Sequence, residues 1–114
     1  MAKGRAVRID TDRIIDWESF HSVFAELFGF PDWYGRNMNA WIDLMTYLDE
    51  DDATTGFHVG EGEVVTIDLS HAAGLRARIP DIYAALVESA AFVNWRRLER
   101  GGTAYLCVAF GGEA

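Results

Sequence analysis

Phe30-Pro31-Asp32-Trp33-Tyr34-Gly35-Arg36-Asn37-Met38-Asn39-Ala40-Trp41-Ile42-Asp43-Leu44 is the stretch from which the rest of the chain is most easily understood. Pro31 keeps any preceding helix from running on. A new helix is expected from about Arg36 to Leu48. Projected at about 100° per residue, it divides into two faces. Met38, Trp41, Ile42, Met45 and Leu48 share one side and suit a core. Arg36, Asn39, Ala40, Asp43, Thr46, Tyr47 and Glu50 share the other. Two aromatics, Trp33 and Tyr34, stand just ahead of this second face, and small Ala40 lies among its polar groups. Aromatics anchor a partner, a small residue permits close approach, and carboxylates or amides orient it. That composition suits a protein-binding patch; an ordinary solvated helix face is the other reading of the same pattern.

Upstream, Ala6 to Ile9 has the bias of a short strand. Asp16 is positioned to cap a helix with Trp17, Phe20, Phe24, Leu27 and Phe28 on one face, closed by Gly29. Its His21 falls on the exposed side. Downstream, Asp49 to Glu61 reads as a polar, Gly-containing loop. Glu63 to Leu69 is β-branched and apolar, a buried strand. A short helix is expected within Ser70 to Arg78. A longer one starts near Asp81, after Pro80, with Ile82, Leu86 and Val87 inward and a break between Ser89 and Phe92. Gly101-Gly102 stops it. Ala104 to Phe110 is an apolar run of the kind found in a strand covered on both faces. Strands separated by helices predict a small α/β domain of two or three layers, with parallel pairing and right-handed crossovers.

The chain has 114 residues, half of them hydrophobic, with seven Phe, four Trp and four Tyr. One domain over residues 1–114, with a core that needs neither disulfide nor metal, is the expectation. Cys107, the lone cysteine, is expected to be a buried thiol in a reducing compartment. Without an apolar leader or a span of about 20 apolar residues, a cytoplasmic location is expected. Ten Lys and Arg against eighteen Asp and Glu give a net charge of −8, which repels nucleic acid and attracts basic partners. His21, His58 and His71 lack metal-ligand spacing. Asp68 near His71 is the nearest approach to an acid–base pair, and no nucleophile motif or phosphate loop accompanies it. No catalytic residue, cofactor, metal, nucleic acid or membrane is therefore expected.

The run Trp33-Tyr34-Gly35-x-Asn37-x-x-Ala40-x-x-Asp43 resembles the signature of the barstar family, inhibitors of barnase-like ribonucleases. The order of elements agrees over roughly residues 5 to 110. The resemblance implies a small three-stranded parallel sheet packed by helices. It also implies an intracellular inhibitor, or immunity protein, that occludes a ribonuclease active site with an acidic helix and its aromatic lead-in. On that basis Asp43 is the central acid that meets active-site cations, and Trp33 is the aromatic that stacks on a catalytic histidine, followed by Tyr34. Gly35 allows close backbone approach, Asn37 supplies amide bonds or organises the turn, Ala40 keeps the surface flat, and Thr46 is a contact at the helix end. Asn39 stands where the family usually has a second aspartate, and Ile42 and Leu48 replace aromatics. The family's acidic contacts on the last helix fall near Arg96 and Arg100, while Asp49-Glu50-Asp51-Asp52 would return negative charge. These departures leave open a second expectation, a binding module of the same fold for another target, such as a non-ribonuclease toxin or a regulatory protein.

Overall fold

A computed structural model describes residues 3–50 and 55–111. Three strands, β1 (Lys3–Ile9), β2 (Glu63–Leu69) and β3 (Leu106–Phe110), form a parallel sheet in the order β1-β2-β3. The register aligns Ile9 with Leu69 and Leu69 with Phe110. Four helices connect them: α1 (Trp17–Phe28) and α2 (Met38–Thr46) in the first crossover, α3 (Ala72–Arg78) and α4 (Pro80–Glu99) in the second. A 3-10 turn at Thr11–Arg13 follows β1 and had no clear sequence signal. The fold is α/β with a three-stranded parallel sheet, as expected.

One sheet face is core. Val7, Ile9, Val65, Ile67, Leu69 and Leu106 are buried, whereas Ala6, Arg8 and Cys107 on the alternate positions are exposed. The alternation follows from the pleat, which sends successive side chains to opposite faces. Two expectations are corrected here. The last strand is covered on one face only, so the domain has two layers. Cys107 is consequently an exposed thiol, because it occupies an outward position of β3. The apolar run around it misled: Val108 on the inner face and Ala109 on the outer are each only partly covered.

Helix α1 starts with a reciprocal cap. The Asp16 carboxylate accepts from the Ser19 amide, while the Ser19 hydroxyl accepts from the Asp16 amide. It ends at Gly29, whose φ of 64° is left-handed. A Cβ on Gly29 would also lie 2.7 Å from the Gly56 backbone, whose amide donates to the Gly29 carbonyl at 2.8 Å. This backbone crossing holds the loop after α2 against the end of α1. Phe20, Phe24 and Phe28 line the core side of α1, and Phe24 meets Trp41 of α2 edge-on at 5.6 Å.

His21 is a third correction: it is buried, not exposed. The apolar face of α1 is wide enough to include it, because the segment after Gly29 folds back over that side. Helix α4 runs unbroken through Ser89 to Phe92. Ile82, Leu86, Ala90, Val93 and Arg97 keep one buried stripe, while Phe92, Trp95 and Leu98 face outward. A buried arginine and exposed apolar residues together blurred the pattern.

Candidate protein-binding site

The segment from Phe30 to Asn37 is a compact turn set against α1. The Phe30 amide donates to the Ala25 carbonyl at 3.0 Å, and the Tyr34 amide to the Pro31 carbonyl at 2.9 Å. Tyr34 turns inward, packs on Phe30 at 4.7 Å, and brings its hydroxyl to 2.5 Å from Nδ1 of His21. Burial pushes the Tyr34 phenol above its ordinary range. Burial, aided by the Arg36 charge, holds His21 below its ordinary value. The neutral phenol and the neutral imidazole therefore share one hydrogen bond, whose direction follows the histidine tautomer. Arg36 has a left-handed φ of 54°, and its guanidinium donates to the Glu18 carbonyl and the Ser22 hydroxyl, both at 2.8 Å. These bonds fasten the turn to α1.

Asn37 is the N-cap of α2: its side-chain oxygen accepts from the Ala40 amide at 2.8 Å, and its amide group donates to the Gly35 carbonyl at 3.3 Å. The expected helix start at Arg36 thus moves to Met38, because left-handed Arg36 and the capping Asn37 both lie outside the helix. At the other end the helix stops at Thr46. Tyr105 prevents its continuation to Leu48 by accepting from the Leu48 amide at 3.0 Å and donating to the Met45 carbonyl at 2.5 Å. Tyr105, the residue just ahead of β3, thereby fixes where α2 ends.

Between the turn and α2 lies a cavity of about 330 Å³ lined by Trp33, Tyr34, Gly35, Ala40, Asp43, Leu44, Tyr47 and Thr55. Trp33 projects from its rim with 70% of its surface exposed. Ala40 leaves the floor low, and Gly35 belongs to the wall, where a Cβ would lie 3.2 Å from Nδ2 of Asn37. Five sequence-selected residues, Trp33, Tyr34, Gly35, Ala40 and Asp43, therefore meet around one space. Asn37 shapes this space by capping. Asn39 is exposed but lies outside the lining. Thr46 is corrected: it is fully buried, its hydroxyl donates to the Ile42 carbonyl at 2.6 Å, and it presents no surface to a partner. At the end of α2 the chain turns inward toward Tyr105, carrying Thr46 with it. Leu44 and Thr55 are lining residues that sequence reading missed, and Tyr47, placed on the second face of the helix, was not among the residues chosen for the site. Leu44 follows from Ala40 and Tyr47 from Asp43 by four-residue spacing, whereas Thr55 arrives through the Gly29–Gly56 crossing.

Among the described residues, three ion pairs join α2 and its exit to α4. Arg96 donates to Asp43 at 2.8 Å, Arg97 to both oxygens of Asp49 at 3.0 and 2.8 Å, and Arg100 lies 3.6 Å from Glu50. Arg97 is buried, donates also to the Thr46 and Thr103 carbonyls, and stacks over Tyr105 at 3.6 Å. Arg97 holds the Asp49 carboxyl below the usual carboxylate range. Asp51 and Asp52, expected to add charge here, lie outside the described residues. Elsewhere, Asp68 lies 3.9 Å from Arg8, and His71 3.6 Å from Asp12, so the imagined Asp68–His71 pair does not form. Among the described residues there is no group of three metal-ligating side chains, and no helix is long and apolar enough to cross a membrane.

The structure is thus a two-layer α/β fold with a groove beside the second helix that carries an exposed tryptophan and a carboxylate. Residues 4–106 match the family described as barstar (barnase inhibitor), and the chain belongs to the barstar family. That family is one of inhibitors rather than enzymes, with a ribonuclease as its protein partner. No curated protein matches the chain.

Proposed function

We propose that this chain is an intracellular inhibitor of a barnase-like ribonuclease, acting as a single domain over residues 1–114. Trp33, Asp43 and the groove between them enter the nuclease active site. The observation that carries this reading is the shared groove: residues selected from a family resemblance, ten positions apart along the chain, line one cavity with Trp33 and Asp43 exposed at it. A ribonuclease active site must hold phosphate and is therefore cationic. A carboxylate aimed into it forms charge-assisted hydrogen bonds, and an exposed indole offers a flat face for stacking. Tyr34, Gly35 and Asn37 support these two groups by fixing the turn, Ala40 keeps the floor low, and Asn39 lies beside the contact as a neutral neighbour.

A net charge of −8 would draw a basic nuclease toward the groove. Association should slow as salt rises, with dissociation little altered. The direct test is capture from the source's own extract and secreted proteins, with Asp43→Ala as control bait. Recovery of a basic ribonuclease by the wild type alone supports the reading. Capture of the same protein equally by both baits contradicts it.

A second reading has one observation in its favour. Asp43 already has an internal cation, Arg96. A barstar-family module directed at a different protein would also tolerate that pairing. A panel of barnase-like ribonucleases left fully active by the chain would favour this alternative.

A further inference from the structure

Arg96 stands at the groove without any role in forming it. It lies on α4, away from the hydrophobic stripe of that helix, and crosses to α2 to donate to Oδ1 of Asp43. One turn on, Arg100 stacks over the ring of Tyr47 at 4.7 Å, and Tyr47 is a wall of the same groove. The carboxylate and one wall of the groove are thus edged by guanidinium groups. Asp43 keeps 65% of its side-chain surface exposed, so it remains open to a partner, but its charge is already partly answered.

We infer that Arg96 is a specificity-determining residue, selecting a target whose cationic pocket has a carboxylate or neutral acceptor on the side facing α4. The inference rests on the proposed use of the groove. Its basis is electrostatic. A partner cation that approaches Asp43 must share the carboxylate with Arg96, and like charges placed together suppress a wrong partner. A partner acceptor opposite Arg96 instead completes a chain of alternating charge across the interface. Arg97 takes no part, because its donors are spent inside the fold on Asp49, Thr46 and Thr103.

Barnase is the probe that tests this, because an enzyme that cleaves RNA must carry cations for phosphate. Its dissociation constant should be measured with the wild-type chain and with Arg96→Ala, Arg96→Gln, Asp43→Ala and the Arg96→Ala/Asp43→Ala pair, each checked for an unchanged melting curve. Arg96→Ala and Arg96→Gln should both bind at least tenfold tighter than the wild type, and the gain should vanish in the double variant. If the wild type binds, Asp43→Ala weakens it, and both Arg96 variants bind equally, or more weakly only while Asp43 is present, Arg96 is a support for Asp43 and the inference falls while the groove reading stands; a loss that persists in the Asp43→Ala background instead shows Arg96 meeting an acceptor of the partner and supports the inference. If Asp43→Ala binds as the wild type does, the groove reading fails with it. Binding by none of the five proteins also overturns the inference, since freeing Asp43 would then not admit a cationic site.

Discussion

Arg96 of α4 and Asp43 of α2 are joined by a 2.8 Å hydrogen bond between residues fifty-three positions apart, at the rim of the groove. Both side chains remain partly exposed, and such surface pairs contribute about 0–1 kcal/mol to folding. The pair therefore concerns what the groove presents more than how the chain folds. Asp43→Ala should lower stability by less than about 1 kcal/mol. It should nevertheless weaken partner binding by about 2 kcal/mol or more, in the range of interface hot spots. Thermal melting and titration calorimetry, run on the same preparation, separate the two effects.

Trp33 should behave in the same divided way. Its ring is mostly exposed, so Trp33→Ala removes little from the core, and the melting temperature should stay close to that of the wild type. Binding should fall by about 2 kcal/mol or more if the indole is an anchor. Equal losses in both measurements would mean that Trp33 serves the fold.

Asn37→Ala reverses the pattern. The substitution removes the side-chain acceptor for the Ala40 amide and the tie to Gly35. Loss of such a cap costs about 1 kcal/mol, which in a domain of this size lowers the melting temperature by about 4 °C. Asn37→Asp and Asn37→Ser, which keep an acceptor, should recover most of the loss.

Tyr105→Phe tests how the residue just ahead of β3 fixes the end of α2. The phenol joins the Leu48 amide to the Met45 carbonyl inside the protein, and its removal leaves both groups buried. Unpaired buried groups of this kind cost about 1–3 kcal/mol each. A reduced urea midpoint with an unchanged slope is the expected outcome. A midpoint equal to the wild type would show that water replaces the hydroxyl without penalty.

His21 gives the fold a dependence on pH. Its folded value lies below the unfolded value near 6.5, because burial and the Arg36 charge disfavour the imidazolium. The unfolded chain therefore takes up the proton first. Stability is fully present above the unfolded value and falls as pH drops through the interval between the two values. The contribution of Asp49, whose carboxyl is held down by Arg97, has the same sign but is lost only below its ordinary value of 3.8. Denaturant unfolding between pH 7 and pH 5 isolates the histidine. His21→Asn should flatten that interval and leave the acid limb unchanged.

The elements with one dominant signal were legible in the sequence. The bounds of β2 follow from the β-branched run Glu63 to Leu69, and those of α1 from Asp16, Gly29 and the phenylalanines between them. Most of the groove was legible through the Trp33 to Asp43 run. What escaped depends on long-range packing. His21 is polar, and the fold-back of Tyr34, with Trp17 stacked on the ring, makes its position internal. Thr46 lies on the polar side of a helix projection, yet Tyr105 and Arg97 draw the end of that helix into the core. Cys107 lies in an apolar run, and the openness of the second sheet face is a property of how the helices pack. Arg96 and Asp43 have no sequence relation that would pair them before α2 and α4 are in place.

RNA cleavage by barnase, titrated with this chain at several RNA concentrations beside Asp43→Ala and Trp33→Ala, tests whether the groove enters a ribonuclease active site. Direct occlusion predicts inhibition that excess RNA relieves, with an unchanged limiting rate, and marked weakening by either substitution. Undiminished cleavage at every ratio, or inhibition that persists unchanged in both variants, would contradict the assignment of this groove to a barnase-like nuclease.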